Sequence, residues 1–196
     1  MAQGIELIAG LGNPGRQYAD TRHNAGFRFL EAVARAGGAA MKIESRFSAE
    51  VGRVDIAGHT VWLLAPTTYM NRSGDAIAAF ARFYKIPPES ILVVHDELDL
   101  SPGTVRFKRG GGHGGHNGLR DIERKLGSRD FARLRIGIGH PGAAPLVESY
   151  VLKRATAEEQ DAIDVAIDEA RHELAAIIRG EDEAVMNRLH ARPSAQ

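Results

Sequence analysis

The stretch ELIAGLGNPG, residues 6–15, is a short apolar run followed by a turn rich in glycine. An apolar run that stops at a glycine is typical of a buried strand that enters a turn. Ile91–Val94 is a second run of this kind, and it ends in His95 and Asp96. Because strands that are buried on both faces need helices on both sides, these runs predict the interior of an α/β sheet.

In the rest of the sequence, predicted strands alternate with predicted helices. Val51–Ile56 and Thr60–Leu64 flank Ala57-Gly58-His59, a pattern typical of a hairpin. Further strands are predicted at Val105–Arg109 and Leu134–Ile138, and helices at Phe27–Arg35, Ile77–Tyr84, Leu119–Leu126 and Thr156–Gly180. We therefore expect an α/β fold, a single-domain sandwich with a twisted mixed β-sheet flanked by helices over residues 1–192. A loose tail is expected at 193–196.

The ends of two predicted helices have their own signals. Thr156 and Glu159 have the spacing of a capping box, and Gly180 is expected to end the helix that they begin. Asn117 is the expected N-cap of the helix predicted at Leu119–Leu126, which should end just before Gly127.

The composition excludes several classes of protein. The chain has 196 residues and no cysteine, which rules out a disulfide framework, a thiol nucleophile and metal centres held by cysteine. No apolar run approaches the roughly 18–20 residues that span a bilayer. Met1–Gly4 lacks the basic and apolar regions of a signal peptide. We expect a soluble protein of the cytoplasm.

The charges are balanced overall but unevenly distributed. The chain has 25 Lys and Arg and 25 Asp and Glu. The segment from Gly103 to Arg135 contains nine Lys and Arg residues and three Asp and Glu residues, a net charge of +6. The segment Ala155–Val185 has a net charge of −8. Such a polarised protein can bind a polyanion on one face, although solvated helix faces would give the same pattern.

Two glycine patterns raise the alternative of a nucleotide-binding protein. Gly10–Gly15 and Gly110–Gly115 both match the dinucleotide-binding pattern G-x-G-x-x-G. In the first, however, Tyr18 to Thr21 intervene before helical periodicity begins, and the acidic residue at the expected distance, Glu31, lies inside a predicted helix. The chain has no Gly-Lys pair for a P-loop and no G-x-S-x-G motif of a serine hydrolase.

His113 and His116 are three positions apart and form the first candidate metal site. Glycines surround both residues, and no acidic side chain nearby completes a ligand set. Hydrogen bonding by the imidazoles is the favoured interpretation.

Polar side chains that suit hydrolytic chemistry follow several predicted strands. A histidine beside a carboxylate can act as a general base, and asparagine amides can hold a carbonyl oxygen. Since ligands of open α/β sheets bind beyond the carboxyl ends of strands, we expect these side chains to converge. They are Asn13, Tyr18, His23, Met70, Asn71, Asp96, His116 and Asn117. Each asparagine taken alone is equally typical of a turn or a cap.

Five motifs in this order resemble those of the bacterial peptidyl-tRNA hydrolase family. They are GLGNPG at 10–15, TRHNAG at 21–26, PTTYMNRSG at 66–74, HDELDL at 95–100 and GGGHGGHNGL at 110–119. The resemblance extends from about Glu6 to Arg192, nearly the whole chain. It implies hydrolysis of the ester between a peptide and the 3′-terminal ribose of tRNA, which recycles tRNA released from stalled ribosomes.

The resemblance also assigns roles to individual residues. His23 is implied to be the catalytic base and Asp96 its partner, with Tyr18 closing the cleft and His116 supporting it. The remaining implied contacts are Asn13, Met70, Asn71 and Asn117 at the peptide end and Lys108 and Arg135 on the tRNA. The resemblance further implies a monomer without cofactor, metal or obligate protein partner.

The chemistry of these residues suggests a mechanism in which the roles of the asparagines have alternatives. Asp96 should fix the His23 tautomer that activates water. Asn71 or Asn117 is expected to stabilise the oxyanion, and Asn13 or Asn71 to bind the peptide amide. The rival hypotheses are a non-catalytic tRNA-binding module and a nucleotide-dependent oxidoreductase that uses the glycine-rich loop.

Overall fold

The computed structural model describes residues 4–192. Within that range seven strands form one mixed sheet in the order β2-β3-β4-β1-β5-β7-β6. The strands are β1 Leu7–Gly10, β2 Lys42–Glu44, β3 Ala49–Ile56, β4 His59–Pro66, β5 Ile91–Glu97, β6 Val105–Arg109 and β7 Ala132–Gly137. The four central strands, β4, β1, β5 and β7, are parallel, and the outer strands pair antiparallel.

Helices cover both faces of the sheet, as an α/β sandwich requires. They are α1 Ala25–Ala36, α2 Ser73–Phe83, α3 Asn117–Leu126, α4 Val147–Val151, α5 Ala157–His172, α6 Leu174–Ile178 and α7 Asp182–Ala191. Side chains alternate along β1, so Ile8 enters the core beneath α1 and α5, whereas Leu7 and Ala9 enter the core beneath α2 and α3. The predicted fold class is confirmed.

The start of α1 lies unusually close to the central strands. A Cβ atom on Gly26 would stand 2.3 Å from the carbonyl oxygen of Val94 and 2.5 Å from the backbone nitrogen of Leu11. Only glycine allows this approach. The approach places His23, three residues earlier, beside the carboxyl end of β5.

The C-terminal region differs from the single long helix predicted. The capping box of Thr156 and Glu159 is present, but α5 ends at His172 and α6 begins at Leu174. Between them, Glu173 is buried, with 5% of its surface exposed, and its carboxylate binds Arg188 of α7. The backbone of Glu173 stays in the right-handed helical region, so the interruption between α5 and α6 is one residue long. Gly180 follows with a φ of +76°.

Several further elements were not predicted from the sequence, namely β2, α4 and α7. The tail predicted at 193–196 lies outside the described residues. In the described range, no helix has the length and apolar character that crossing a membrane would require.

Candidate active site

The carboxyl ends of three parallel strands meet at one edge of the sheet. The loop after β1 carries Asn13, the turn after β4 carries Met70, and Asp96 lies near the end of β5. Parallel neighbours bring these ends together because β1 pairs with both β4 and β5. A cleft of about 690 Å³ opens at this edge. Its lining includes Asn13, His23, Met70, Asn71, Asp96, His116 and Asn117.

His23 and Asp96 form a hydrogen-bonded pair at the base of this cleft. Nδ1 of His23 lies 2.8 Å from Oδ2 of Asp96. Burial alone would lower the pKa of His23, but the negative charge of Asp96 and this hydrogen bond raise it above 6.5. Burial likewise opposes ionisation of Asp96, yet His23 and His116 hold its pKa well below the usual range. Asp96 is therefore an ionised acceptor, which fixes the Nδ1–H tautomer of His23.

His116 binds the second oxygen of the same carboxylate. Its Nε2 lies 2.8 Å from Oδ1 of Asp96. Its Nδ1 accepts the backbone N–H groups of Gly118 and Leu119, at 3.1 and 3.3 Å. Since Nδ1 is an acceptor, the ring proton lies on Nε2 and is donated to Asp96. His116, and not Asn117 as predicted, is thus the N-cap of α3.

His95 alternates with Asp96 on β5 and points into the core. It donates from Nδ1 to the backbone oxygen of Asp96 at 2.7 Å, and its ring packs edge-on against that of His116. Burial lowers its pKa to about 3, helped by the nearby His116. His95 is therefore neutral at physiological pH and cannot serve as a proton-accepting group of the cleft.

Asn13 is held in one orientation by two loops. Its Oδ1 accepts the backbone N–H of Met70 at 2.7 Å. The amide of Asn24 clamps the Asn13 backbone, with Oδ1 accepting its N–H at 2.8 Å and Nδ2 donating to its oxygen at 3.0 Å. Because the donor of Met70 is a backbone N–H, the atom facing it must be oxygen. Oδ1 of Asn13 is therefore engaged by Met70, and Nδ2 is the group that Asn13 offers to the cleft as a donor.

Asn71 and Asn117 are both exposed and both line the cleft. Oδ1 of Asn117 accepts a bond from Arg120 at 3.3 Å, which leaves Nδ2 as its donor toward the cleft. The amide of Asn71 has no hydrogen-bond partner among residues 4–192, so both of its ends are available to a ligand.

Tyr18 lies beside the cleft and not in the lining that the described residues form. Its ring contacts the ring of Tyr69 edge-on, with centroids 6.2 Å apart, and Tyr69 does line the cleft. Tyr18 thus reaches the site through Tyr69.

The basic segment predicted between Gly103 and Arg135 divides into buried and exposed cations. Arg133 is fully buried, so it is not part of a surface that a polyanion could contact. Arg135 donates from Nε to Glu97 at 2.8 Å. Burial lowers the pKa of Lys108, and the charges of Arg135 and Arg133 lower it further. Lys108 and Arg135 lie outside the cleft lining that the described residues form, although Glu97 belongs to it.

His23, Asp96 and His116 also have the composition of a metal site. One ligand atom from each lies within 4.8 Å of the others, whereas His113 is not part of this group. However, Nδ1 of His116 accepts two backbone N–H groups. A metal on Nε2 would remove the only ring proton and demand an imidazolate. The hydrogen bonds of His116 therefore favour a role as donor to Asp96.

Two parts of the site were missed by sequence reasoning. No role was predicted for Asn24, and its position directly after His23 in the TRHNAG motif was the available signal. The short helix α4 forms an apolar wall of the cleft with Val147, Val151 and the adjoining Leu152. Its five residues are too few for helical periodicity to reveal.

The glycine-rich turn after β1 does not open a helix. The segment after Gly15 forms two short 3₁₀ turns, and α1 begins only at Ala25. A dinucleotide-binding turn requires a helix that starts within the glycine motif. This geometry argues against the oxidoreductase alternative.

Comparisons with known proteins show the family to which the chain is similar. A family model described as peptidyl-tRNA hydrolase matches residues 7–196. A peptidyl-tRNA hydrolase of Marinomonas sp. (strain MWYL1) is 54% identical over 96% of this chain and 97% of the relative. The peptidyl-tRNA hydrolase of Saccharophagus degradans is 57% identical over 96% of each chain.

The fold also matches a solved structure. The crystal structure of peptidyl-tRNA hydrolase from Acinetobacter baumannii superposes with a TM-score of 0.95 at 50% sequence identity. The match covers 100% of this chain and 99% of that one.

Proposed function

The chain belongs to the peptidyl-tRNA hydrolase family, and we propose that His23 and Asp96 carry out ester hydrolysis in its cleft. The bond cleaved joins a peptide, or an N-blocked amino acid, to the 3′-terminal ribose of tRNA. The products are a free carboxylic acid and a reusable tRNA, as expected of an enzyme that recycles peptidyl-tRNA from stalled ribosomes. The observation that carries this assignment is the 2.8 Å contact between His23 Nδ1 and Asp96 Oδ2.

His23 acts as the general base. With its Nδ1 proton donated to Asp96, the ring presents the lone pair of Nε2 to a water molecule. The water oxygen attacks the ester carbonyl while its proton moves to Nε2, and Asp96 stabilises the imidazolium that forms. The proton then passes to the departing 3′ oxygen as the carbon–oxygen bond breaks. No covalent enzyme intermediate is needed.

The three asparagines have different hydrogen-bonding capacities and so different roles. Asn13 and Asn117 each offer a donor to the cleft, because their Oδ1 atoms accept bonds from Met70 and Arg120. Donors suit the oxyanion and the neighbouring carbonyl oxygens. Asn71 alone of the three has an uncommitted Oδ1 among the described residues, so it is the acceptor for the peptide N–H.

We propose that the charge on the substrate nitrogen is what spares free aminoacyl-tRNA. The correct substrate has a neutral amide, whose single N–H points at Asn71. An aminoacyl-tRNA has an ammonium group instead, which retains its water poorly beside the apolar wall of Val147 and Val151. Because the ammonium could also donate to Asn71, the discrimination that we propose rests on the cost of removing water from its charge.

We assign tRNA contact to Lys108 and Arg135, outside the cleft, as partners of phosphate groups. We also propose a monomer without an obligate protein partner. We also place the enzyme in the cytoplasm, where its substrate is produced. Light scattering of the purified protein tests the monomer directly.

Incubation with N-acetylaminoacyl-tRNA and with unblocked aminoacyl-tRNA tests the proposed function. We expect rapid release of the N-acetylamino acid and little cleavage of the unblocked substrate. A protein that binds both tRNAs equally and cleaves neither would be a tRNA-binding module, and the proposal would be wrong.

A further inference from the structure

One cation of the basic segment, Arg133, is enclosed by the protein. It is 0% exposed and is the largest of the fully buried side chains among the described residues. We infer that Arg133 is a positioning residue that anchors the glycine loop, Gly110–Gly115, and through this loop holds His116 on Asp96. The inference rests on the proposed function and adds a residue that acts without contact to the substrate.

The guanidinium of Arg133 binds the glycine loop directly. Nη1 donates to the carbonyl oxygen of Gly112 at 2.9 Å, and Nη2 donates to that of Gly111. The two bonds come from the two terminal nitrogens of one planar guanidinium, whose geometry suits two adjacent carbonyl groups. Glu123 of α3 lies 3.5 Å from Nη2, and the ring of Phe131 lies beneath the guanidinium. The Arg133 guanidinium is thus held by the glycine loop, by Glu123 and by Phe131.

The loop itself has little that would hold it in place. Four of its glycines, Gly110, Gly111, Gly114 and Gly115, have positive φ angles between +57° and +98°. Glycine backbones of this kind lose the most conformational freedom on ordering. Apart from those of Arg133, the hydrogen bonds that residues 4–192 make to the loop and its two ends are Gly110 to Phe131, Gly115 to His113 and His116 to His113. The centre of the loop therefore depends on Arg133.

The far end of the loop is part of the proposed catalytic site. His116 follows Gly115 directly, and its Nε2–H group binds Asp96, which in turn orients His23. His116 is also tied to α3 by its N-cap bonds, but a disordered loop would remove the support on its other side and loosen its bond to Asp96. Small displacements of such groups can lower turnover by about 10²-fold. Arg133 therefore supports catalysis from a buried position on β7.

This role differs measurably from that of a phosphate contact. Loss of a phosphate contact weakens tRNA binding and raises KM, whereas loss of positioning lowers kcat. We expect Arg133→Met and Arg133→Lys to lower kcat on N-acetylaminoacyl-tRNA by about tenfold or more, with KM nearly unchanged. A lysine ammonium has no planar fork, so the conservative variant should be defective too.

Nuclear magnetic resonance of ¹⁵N-labelled imidazoles supplies a second measurement. In the wild-type protein, the Nε2–H signal of His116 should be protected by its bond to Asp96. In Arg133→Lys this signal should broaden or disappear, because the loop no longer fixes the ring. Arg188→Met is the matched control. This substitution also removes a cation that is paired with a buried carboxylate, that of Glu173. The Arg188–Glu173 pair lies on the opposite face of the sheet from α3. Arg188→Met should lower Tm and leave both kcat and the His116 signal unchanged.

Unchanged kcat in the Arg133→Lys variant would overturn the inference, as would a raised KM with normal kcat. If Arg133→Met fails to fold, the lysine variant decides alone. Failure of the wild-type protein to cleave N-acetylaminoacyl-tRNA would instead overturn the proposed function, so the two failures are distinguishable.

Discussion

Asn13 Oδ1 accepts the backbone N–H of Met70 at 2.7 Å, which ties the loop after β1 to the turn after β4. This single bond decides which atom of the Asn13 amide faces the cleft. It also places a donor beside the position where we propose that the ester carbonyl binds.

Asn13→Asp is expected to lower kcat by about 10²–10³-fold while the fold is retained. The carboxylate preserves the acceptor for Met70, but the second oxygen replaces the Nδ2 donor with a negative charge. Steady-state kinetics with circular dichroism as the folding control test this. Near-normal kcat would remove Asn13 from the stabilisation of the oxyanion.

His23→Ala should abolish turnover and leave tRNA affinity nearly intact. General-base catalysis contributes about 10²–10⁴-fold, and the imidazole is not one of the proposed phosphate contacts. Single-turnover cleavage and filter binding, measured on the same preparation, separate the two effects. Turnover close to that of the wild type would show that another group is the base.

The pH dependence of kcat/KM should reflect the raised pKa of His23. The base must be neutral, so activity falls as the pH decreases through this pKa, and the midpoint should lie above 6.5. In Asp96→Asn the charge that raises the pKa is lost while burial remains. We expect the midpoint to move to lower pH and the plateau rate to fall, by less than in His23→Ala. A midpoint that does not move would contradict the coupling of the two residues.

Lys108→Ala should raise KM for full-length peptidyl-tRNA and have a smaller effect on a minimal peptidyl-nucleoside ester. The minimal ester has few phosphates to lose, and each lost contact lowers the salt dependence of binding to double-stranded nucleic acid by about one unit. Arg135→Ala should behave in the same way, whereas Asn71→Ala should impair both substrates. Kinetics at two salt concentrations provide the comparison. Equal losses on both substrates for Lys108→Ala would assign that residue to the chemistry.

Activity should survive dialysis against EDTA. Water is activated by His23 in the proposed mechanism, and the hydrogen bonds of His116 oppose metal binding at Nε2. Assays before and after dialysis, each with and without added zinc, test this. Loss of activity that zinc restores would indicate a metal at His23, Asp96 and His116.

Much of the fold follows from local sequence patterns. The apolar runs at Leu7–Ala9 and Ile91–Val94 could be recognised as strands, and their side chains are buried on both faces of the sheet. The capping box of Thr156 and Glu159 is local by nature, since its two bonds join residues three apart. The chemical character of the site was also available, because a histidine, a carboxylate and amides can be recognised as residue types.

The tertiary structure alone decided which atoms of these residues are available. Asn13 is separated from Met70 by 57 positions, and this distant partner turns its amide into a donor. Arg133 belongs to a basic segment in the sequence, yet its burial between α3 and the glycine loop makes it internal. Glu173, at the break between α5 and α6, is likewise buried and paired with Arg188 of α7. Burial and hydrogen-bond partners are properties of the packed chain, so residue type and periodicity could not determine them.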